Sequence, residues 1–179
     1  MKRISSYIIS ILLLSMPSFA HDNNIVGFGL GYGSQDLSFK EGTTAGDNFN
    51  IEAYYRYMFR PELGAEIGWS GAVGGINSIL VDIGSEIKDV SYDGFNAGIF
   101  YQYPILKRVN LTSKLGVNRY VVDYTFNNRN VDDFHIGYEA SVGIEARANN
   151  GLGINFNYKY INNSIIESNQ FILGTSFRF

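Results

Sequence analysis

The feature that most constrains this chain is the strict alternation of apolar and polar residues along much of its length. In residues 152–160, one face would carry Leu152, Ile154, Phe156, Tyr158 and Tyr160, with glycine, asparagine and lysine between them. A β-strand points successive side chains to opposite faces, whereas an α-helix repeats every 3.6 residues. The interleaving also explains why a chain with 45% hydrophobic residues has a mean hydropathy of only -0.05. The pattern predicts an all-β protein.

Eight segments show this alternation, and two kinds of connection separate them. The predicted strands are residues 26–33, 49–59, 63–69, 95–103, 109–117, 134–147, 152–160 and 171–179. Tight connections at 60–62, 104–108 and 148–150 alternate with long ones at 34–47, 71–91, 124–133 and 161–169. Such an order of short and long connections is typical of an up-and-down meander. We therefore predict an eight-stranded antiparallel up-and-down β-barrel in a single domain.

The first twenty residues have a different plan. A positive start at Lys2 and Arg3 precedes an apolar run over 7–16, and small residues precede a plausible cleavage point after Ala20. This is the three-part organisation of a secretory signal peptide, and the apolar run is too short to cross a membrane as a helix. We predict a cleaved signal peptide at 1–20 and a barrel domain at 21–179.

The composition excludes several classes of function. The chain has no cysteine, which rules out disulfides, a cysteine-based zinc site and lipid attachment at the cleavage point. Its 14 basic residues against 17 acidic ones leave no positive excess, so we expect no nucleic-acid partner. No metal-binding motif stands out, and we predict no catalytic residue, no cofactor and no metal site.

The alternation alone does not say which face of the barrel is the inner one. A soluble barrel that binds a small ligand would turn its apolar face inward, and a membrane barrel would turn it outward. Three features favour the membrane barrel: aromatic residues lie towards strand ends, small residues crowd the polar face, and that face carries nearly balanced charges. Aromatic girdles mark membrane interfaces, and a closed interior requires paired charges. We predict a transmembrane barrel with a polar lumen.

The tight connections predict which charges meet in the lumen. If the first one holds three residues, Arg56 lies opposite Glu66. If the third one also holds three, Glu139 lies opposite Lys159. Opposite charges that face each other across two strands stabilise the pairing. We predict both as structural ion pairs that help to plug the lumen, because side chains fill the interior of an eight-stranded barrel.

The end of the chain carries a family resemblance. An alternating series closes on an aromatic residue: Phe171, Leu173, Thr175, Phe177 and Phe179. It resembles the C-terminal signature of Gram-negative outer-membrane barrels, and we take Phe171, Leu173, Phe177 and Phe179 as the candidate signal for the barrel-assembly machinery. With its signal peptide and eight strands, the chain looks like the small OmpA, OmpX and Ail/Lom-type barrels. The resemblance implies a monomer among outer-membrane lipids, with both termini in the periplasm.

The long connections are the expected place of function. The second one holds an apolar patch formed by Ile76, Ile79, Leu80, Val81 and Ile83. This patch is either a binding surface for a host or matrix protein, or part of strands that extend above the membrane and pack these residues together. We favour the second interpretation. The predicted function is surface interaction or envelope structure, without catalysis.

Two other functions stay open at this point. Some related small barrels are lipid A deacylases with a serine, a histidine and an acid. Their pattern has serine two residues after histidine, whereas Gly137 occupies that position after His135. A lipid A-modifying enzyme is therefore the second hypothesis. A secreted soluble barrel that binds a small ligand is the third.

Overall fold

The structure, a computed structural model, describes residues 23–39, 42–74, 87–126 and 129–179. They form β1 (Asn24–Phe39), β2 (Gly42–Met58), β3 (Leu63–Gly74), β4 (Ile87–Leu106), β5 (Val109–Phe126), β6 (Arg129–Arg147), β7 (Leu152–Asn162) and β8 (Ile166–Arg178). Each strand pairs antiparallel with its neighbours in the sequence, and β8 pairs with β1 to close the barrel. The predicted fold class and topology are confirmed. No helix among the described residues is long and apolar enough to cross a membrane.

The outer wall is apolar over most of its height. Large apolar side chains that lie 43–72% exposed on it include Phe28, Leu30, Ile67, Phe95, Leu115 and Leu173. Their neighbours along the strands turn inward and are buried, among them Asn50, Glu66, Asn96 and Lys114. A soluble barrel would have the opposite arrangement, so the third hypothesis from the sequence is excluded. The wall is built to face lipid.

The barrel has two different ends. The connections after β2, β4 and β6 are short, and together with both ends of the described chain they define the turn end. The opposite end, where β1 meets β2 and β7 meets β8, is the loop end. The strands extend further towards the loop end than the sequence predicted, since β1 continues to Phe39 and β5 to Phe126. The predicted long connections at 34–47 and 124–133 are therefore mostly strand, and 161–169 shrinks to 163–165.

The strands were predicted too short because the alternation is inverted near the loop end, with apolar residues inward and polar residues outward. There the inward side chains are apolar and at most 3% exposed, forming a core of Leu37, Ala72, Tyr92, Tyr120, Val122, Ile161 and Ile166. The outward side chains are polar and exposed, among them Ser34, Asp36, Asp93, Asp123 and Glu167. We call this part the loop-end section and its buried residues the loop-end core. It is organised like a water-soluble barrel.

The inward positions of β1 over residues 27–33 are glycines because bulky side chains from other strands occupy the space beside them. A Cβ on Gly27 would overlap the ring of Tyr54, and one on Gly29 would lie 2.8 Å from Cγ2 of Ile172. Small residues on one strand therefore leave room for large residues on its neighbours. This agrees with the narrow interior of an eight-stranded barrel.

Two of the tight connections differ in detail from the prediction. In the second, β4 continues through Leu106 with a register shift after Pro104, so only Lys107 and Arg108 form the turn. In the third, Gly151 has a φ of 88°, a left-handed conformation that glycine adopts without strain. Gly151 therefore belongs to the turn, and Arg147 pairs with Gly153 instead of Gly151, the partner that a three-residue turn over 148–150 would give it.

Candidate functional site: the lumen and its loop end

A cluster of charged side chains fills the lumen of the membrane-facing part. It comprises four acids and four bases, which we call the lumenal charge cluster: Glu52, Arg56, Glu66, Lys114, Glu139, Glu145, Arg147 and Lys159. Their side chains are between 1% and 15% exposed. Buried charges are stable only when each has partners, and here every member contacts at least one opposite charge.

The first predicted pair lies at the turn-end side of this cluster. Arg56 lies opposite Glu66 in the register that the first tight turn predicted. Two nitrogens of the guanidinium donate to Oε2 of Glu66, at 2.9 Å and 2.6 Å. The guanidinium also stacks on Phe100, with 3.2 Å between Cζ and the ring centroid. This pair combines two charge-assisted hydrogen bonds to one carboxylate oxygen with a cation–π contact, so its geometry is well defined.

The second predicted pair forms, but not in the predicted register. Because five residues instead of three separate Arg147 from its partner Gly153, Lys159 lies opposite Ser141 and Glu139 lies opposite Ile161. The two charges are therefore diagonal neighbours, with Nζ of Lys159 at 3.6 Å from Oε2 of Glu139. Nζ of Lys159 lies closer to Glu52, at 3.1 Å. The prediction that Glu139 and Lys159 face each other directly is wrong by two residues.

Lys114 is the centre of the cluster, and sequence reasoning missed it. Its Nζ lies 2.8 Å from Glu66 and 2.7 Å from Glu139, so one lysine joins β3, β5 and β6. The Lys114 side chain can cross the inner face of β4 to reach β3 because Gly98 and Gly116, which lie opposite each other on the inner wall, have no side chains in its way. Pairing of adjacent strands cannot reveal a contact that skips a strand. In the sequence, the inward-facing glycines were the feature that could have indicated this contact.

A layer of amides and hydroxyls separates the charges from the loop-end core. Nδ2 of Asn48 donates to Gln35 at 3.0 Å and to Ser168 at 3.1 Å. Nε2 of Gln170 donates to the hydroxyl of Tyr92 at 2.7 Å. Since Tyr92 also packs its ring on Tyr120, with centroids 5.2 Å apart, it links the polar layer to the apolar core.

The lumen has very little free space at the level of the charge cluster. A cavity of about 30 Å³ remains there, lined by residues that include Tyr54, Arg56, Lys114, Asn157 and Lys159. That volume has room for about one or two water molecules. Above it, the polar layer and the loop-end core close the barrel. The arrangement supports plugging and rigidity rather than passage of a solute.

A histidine and a serine meet at the loop end, although they are distant in the sequence. Nδ1 of His135, on β6, lies 2.7 Å from Oγ of Ser164, in the connection between β7 and β8. The serine that the deacylase pattern has two residues after the histidine is replaced by Gly137 here, and Ser164 contacts the histidine from a different part of the chain. No group of three or more His, Cys, Asp or Glu residues in the described part of the chain could hold a metal ion.

The other predicted sites fall in three places. Phe171, Leu173 and Phe177 lie exposed on the outer wall of β8, and the Phe179 ring stacks on Phe177 at 6.2 Å. Their role as an assembly signal stays a prediction. The patch of Ile76, Ile79, Leu80, Val81 and Ile83 lies outside the described residues, and so does the predicted signal peptide.

The family model described as "Outer membrane protein beta-barrel domain" matches residues 6–179. The chain belongs to this family. It is therefore an outer-membrane β-barrel of the Gram-negative type, which agrees with its apolar outer wall and filled lumen. No curated protein matches the chain in sequence.

Three solved structures illustrate the likeness. Ail, the attachment invasion locus protein of Yersinia pestis, is 16% identical, with a TM-score of 0.54 over 88% of this chain and 99% of that one. Neisserial surface protein A is 14% identical, with a TM-score of 0.61 over 87% and 97%. OprG from Pseudomonas aeruginosa is 13% identical, with a TM-score of 0.55 over 88% and 96%. At these identities the likeness concerns the fold alone.

Proposed function

We propose that this protein is a monomeric surface protein that interacts through its extracellular end and has neither transport nor catalytic activity. The observation that carries the proposal is the combination of a filled lumen with a loop-end section that has its own apolar core. A plugged barrel offers no path for a solute. Strands that continue above the membrane form a stiff support for their connecting loops.

The orientation follows from the family. In outer-membrane barrels the short turns face the periplasm and the longer loops face the cell exterior. The turn end is then periplasmic and the loop end extracellular. This orientation agrees with export by a cleaved signal peptide and with folding by the barrel-assembly machinery through Phe171, Leu173, Phe177 and Phe179.

The net charge of the loop-end segments indicates what kind of partner they can bind. The segments 34–47, 71–91, 124–133 and 161–169 hold nine Asp and Glu residues against three Lys and Arg. A structure of Ail was solved in complex with the heparin analogue sucrose octasulfate. An acidic surface repels such a polyanion, so we propose a basic surface on a host or matrix protein as the partner.

Binding of the full chain in lipid nanodiscs tests this proposal. We expect binding to a lysine-rich matrix protein that weakens as salt rises, because exposed charges are screened, and no binding to heparin. The triple variant Asp36→Asn, Asp123→Asn, Glu167→Gln should bind less tightly, with Glu62→Gln at the opposite end as the matched control. Heparin binding by the unaltered chain would contradict the proposed partner.

The loop patch has its own test. A variant that lacks residues 76–83 should lose binding if Ile76, Ile79, Leu80, Val81 and Ile83 form the contact surface. It should keep binding if these residues only pack together above the membrane. Unchanged binding together with an unchanged cell-surface phenotype would remove this patch from the proposed function.

A lipid A-modifying enzyme is the second candidate because of the contact between His135 and Ser164. A histidine beside a serine hydroxyl is the core of a nucleophilic hydrolase site. Mass spectrometry of lipid A from cells with and without the protein tests it. Loss of an acyl chain that Ser164→Ala abolishes would establish the enzyme, and identical lipid A in both strains would leave the non-catalytic role.

A further inference from the structure

Two grooves of similar size cross the apolar outer wall. One has a volume of about 870 Å³, is lined by Ala53, Ile67, Ala97, Val117, Ile136 and Arg119, and is called the arginine groove. The other has a volume of about 860 Å³, is lined by Leu30, Tyr32, Trp69, Val73, Leu173 and Asp93, and is called the acidic groove. Both are almost entirely apolar, and they differ in the charge beside them.

Small side chains create the arginine groove. Ala97 lies between Ile67 and Val117 in the strand register, and all three are exposed on the outer wall. Alanine between two larger residues leaves a depression in which an acyl chain can make contacts on both sides. Close packing of this kind gains dispersion energy that a flat wall does not offer.

Arg119 lies at the upper part of this groove. It is exposed on the outer wall, opposite Phe95 on one side and Ile136 on the other. It is ten residues along β5 from Val109, which corresponds to roughly 26 Å of height in a tilted strand. That height is the lipid headgroup level of the extracellular leaflet.

The guanidinium is held against an aromatic ring and keeps its charge available. Its Cζ lies 5.1 Å from the centroid of Phe134. None of the carboxylates among the described residues forms a salt bridge with it. Asp93 instead accepts a hydrogen bond from Nε1 of Trp69 at 3.2 Å. An arginine in this setting is suited to a phosphate oxygen.

We propose that the arginine groove binds one molecule of the phosphorylated glycolipid of the outer leaflet. One acyl chain lies over Ala97, between Ile67 and Val117, and a headgroup phosphate contacts Arg119. The acidic groove has comparable volume and apolar lining but presents Asp93, which repels a phosphate. The glycolipid therefore binds the arginine groove in preference to the acidic groove because of the charge beside each one.

Native mass spectrometry of the full chain, released from nanodiscs that contain bisphosphorylated lipid A and phosphatidylcholine, tests this proposal. We expect one retained lipid A per barrel. Arg119→Gln should weaken retention roughly fivefold, an effect kept modest by Asp93, which lies diagonal to Arg119 in the strand register. Arg119→Lys should stay within about twofold of the unaltered protein. Lipid A without phosphates should bind the unaltered barrel as weakly as lipid A binds Arg119→Gln.

Filling each groove separates specific binding from general contact with lipid. Ala97→Phe should abolish the retained lipid, whereas Val73→Phe, which fills the acidic groove, should not change it. Circular dichroism confirms that both variants are folded barrels. Equal losses in the two variants, no effect of Arg119→Gln, or an arginine groove occupied by a second copy of the chain without retained lipid would each overturn the proposal.

Discussion

The two sections of this barrel are built from the same strands but have opposite polarity. In the membrane-facing section, Lys114 and Glu139 lie buried inside while Leu115 and Tyr138 lie exposed outside. In the loop-end section, Val122 and Ile161 are fully buried inside while Asp123 is exposed outside. The comparison shows that alternation of apolar and polar residues by itself indicates a strand. Whether the apolar residues point inward or outward depends on the medium outside the wall, which is water in one section and lipid in the other.

The difference has a simple energetic basis. In lipid, an outward apolar side chain costs nothing and an outward charge costs about 2–4 kcal/mol at the midplane. In water, the apolar side chains must turn inward to gain the roughly 25 cal/mol per Å² that burial provides. The boundary between the sections therefore marks where the membrane ends, near Tyr32 and Phe49, whose rings lie 5.0 Å apart on the outer wall.

The largest expected effect comes from breaking the charge cluster. Lys114→Met should destabilise the barrel by about 3–5 kcal/mol, because it leaves Glu66 and Glu139 without their shared partner in a buried site. Urea unfolding in lipid vesicles measures this. The matched control Lys107→Met, in an exposed turn, should change stability by about 0.5 kcal/mol or less. A loss below about 1 kcal/mol for Lys114→Met would mean that water enters the lumen.

Shortening a side chain in the loop-end core should lower the stability of the loop-end section and leave the membrane-facing section unchanged. Ile161→Ala removes a fully buried side chain and should cost about 2–4 kcal/mol. Hydrogen exchange should rise in the loop-end section while the membrane-facing section stays protected. Ile144→Ala, on the lipid-facing wall, should cost about 1 kcal/mol or less because lipid chains fill the gap. Equal exchange throughout both sections would show that they unfold as one unit.

A charge moved along the outer wall should locate the membrane boundary. Leu115→Lys, at mid-height, should cost about 2–4 kcal/mol, and Ser34→Lys, in the loop-end section, should cost about 0.5 kcal/mol or less. Unfolding in vesicles of one lipid composition compares them directly. If Ser34→Lys were as costly as Leu115→Lys, the loop-end section would lie in lipid and the comparison would fail.

The smallest effect concerns the junction between the sections. Tyr92→Phe keeps the ring on Tyr120 but removes the hydroxyl that accepts a hydrogen bond from Gln170. It should cost about 1 kcal/mol, the usual worth of one buried hydrogen bond. The double variant Tyr92→Phe with Gln170→Leu should lose less than the sum of the two single-variant losses, since both variants remove the same hydrogen bond. Additive losses in urea unfolding would contradict this coupling.

Much of the fold could be predicted from local pattern, and the errors have identifiable causes. The eight strands and the Arg56–Glu66 pair depended on alternation and one short turn, both local properties. The Glu139–Lys159 register was displaced because Gly151, which a three-residue turn would pair with Arg147, instead takes a left-handed turn conformation. The upper strand segments were taken for loops because Leu37 and Ile166 alternate with polar residues in the opposite phase. A pattern search that allowed the phase to invert would have found them.

The sequence by itself determined that this chain forms a barrel with an apolar wall, since period-two alternation and aromatic strand ends arise from neighbouring residues. Only the tertiary structure decided which charges meet across the lumen and where the polarity reverses. Closure brings β3, β5 and β6 within reach of one lysine, although β3 pairs with neither of the other two. The sign of burial likewise depends on the solvent at each height, which no single strand specifies.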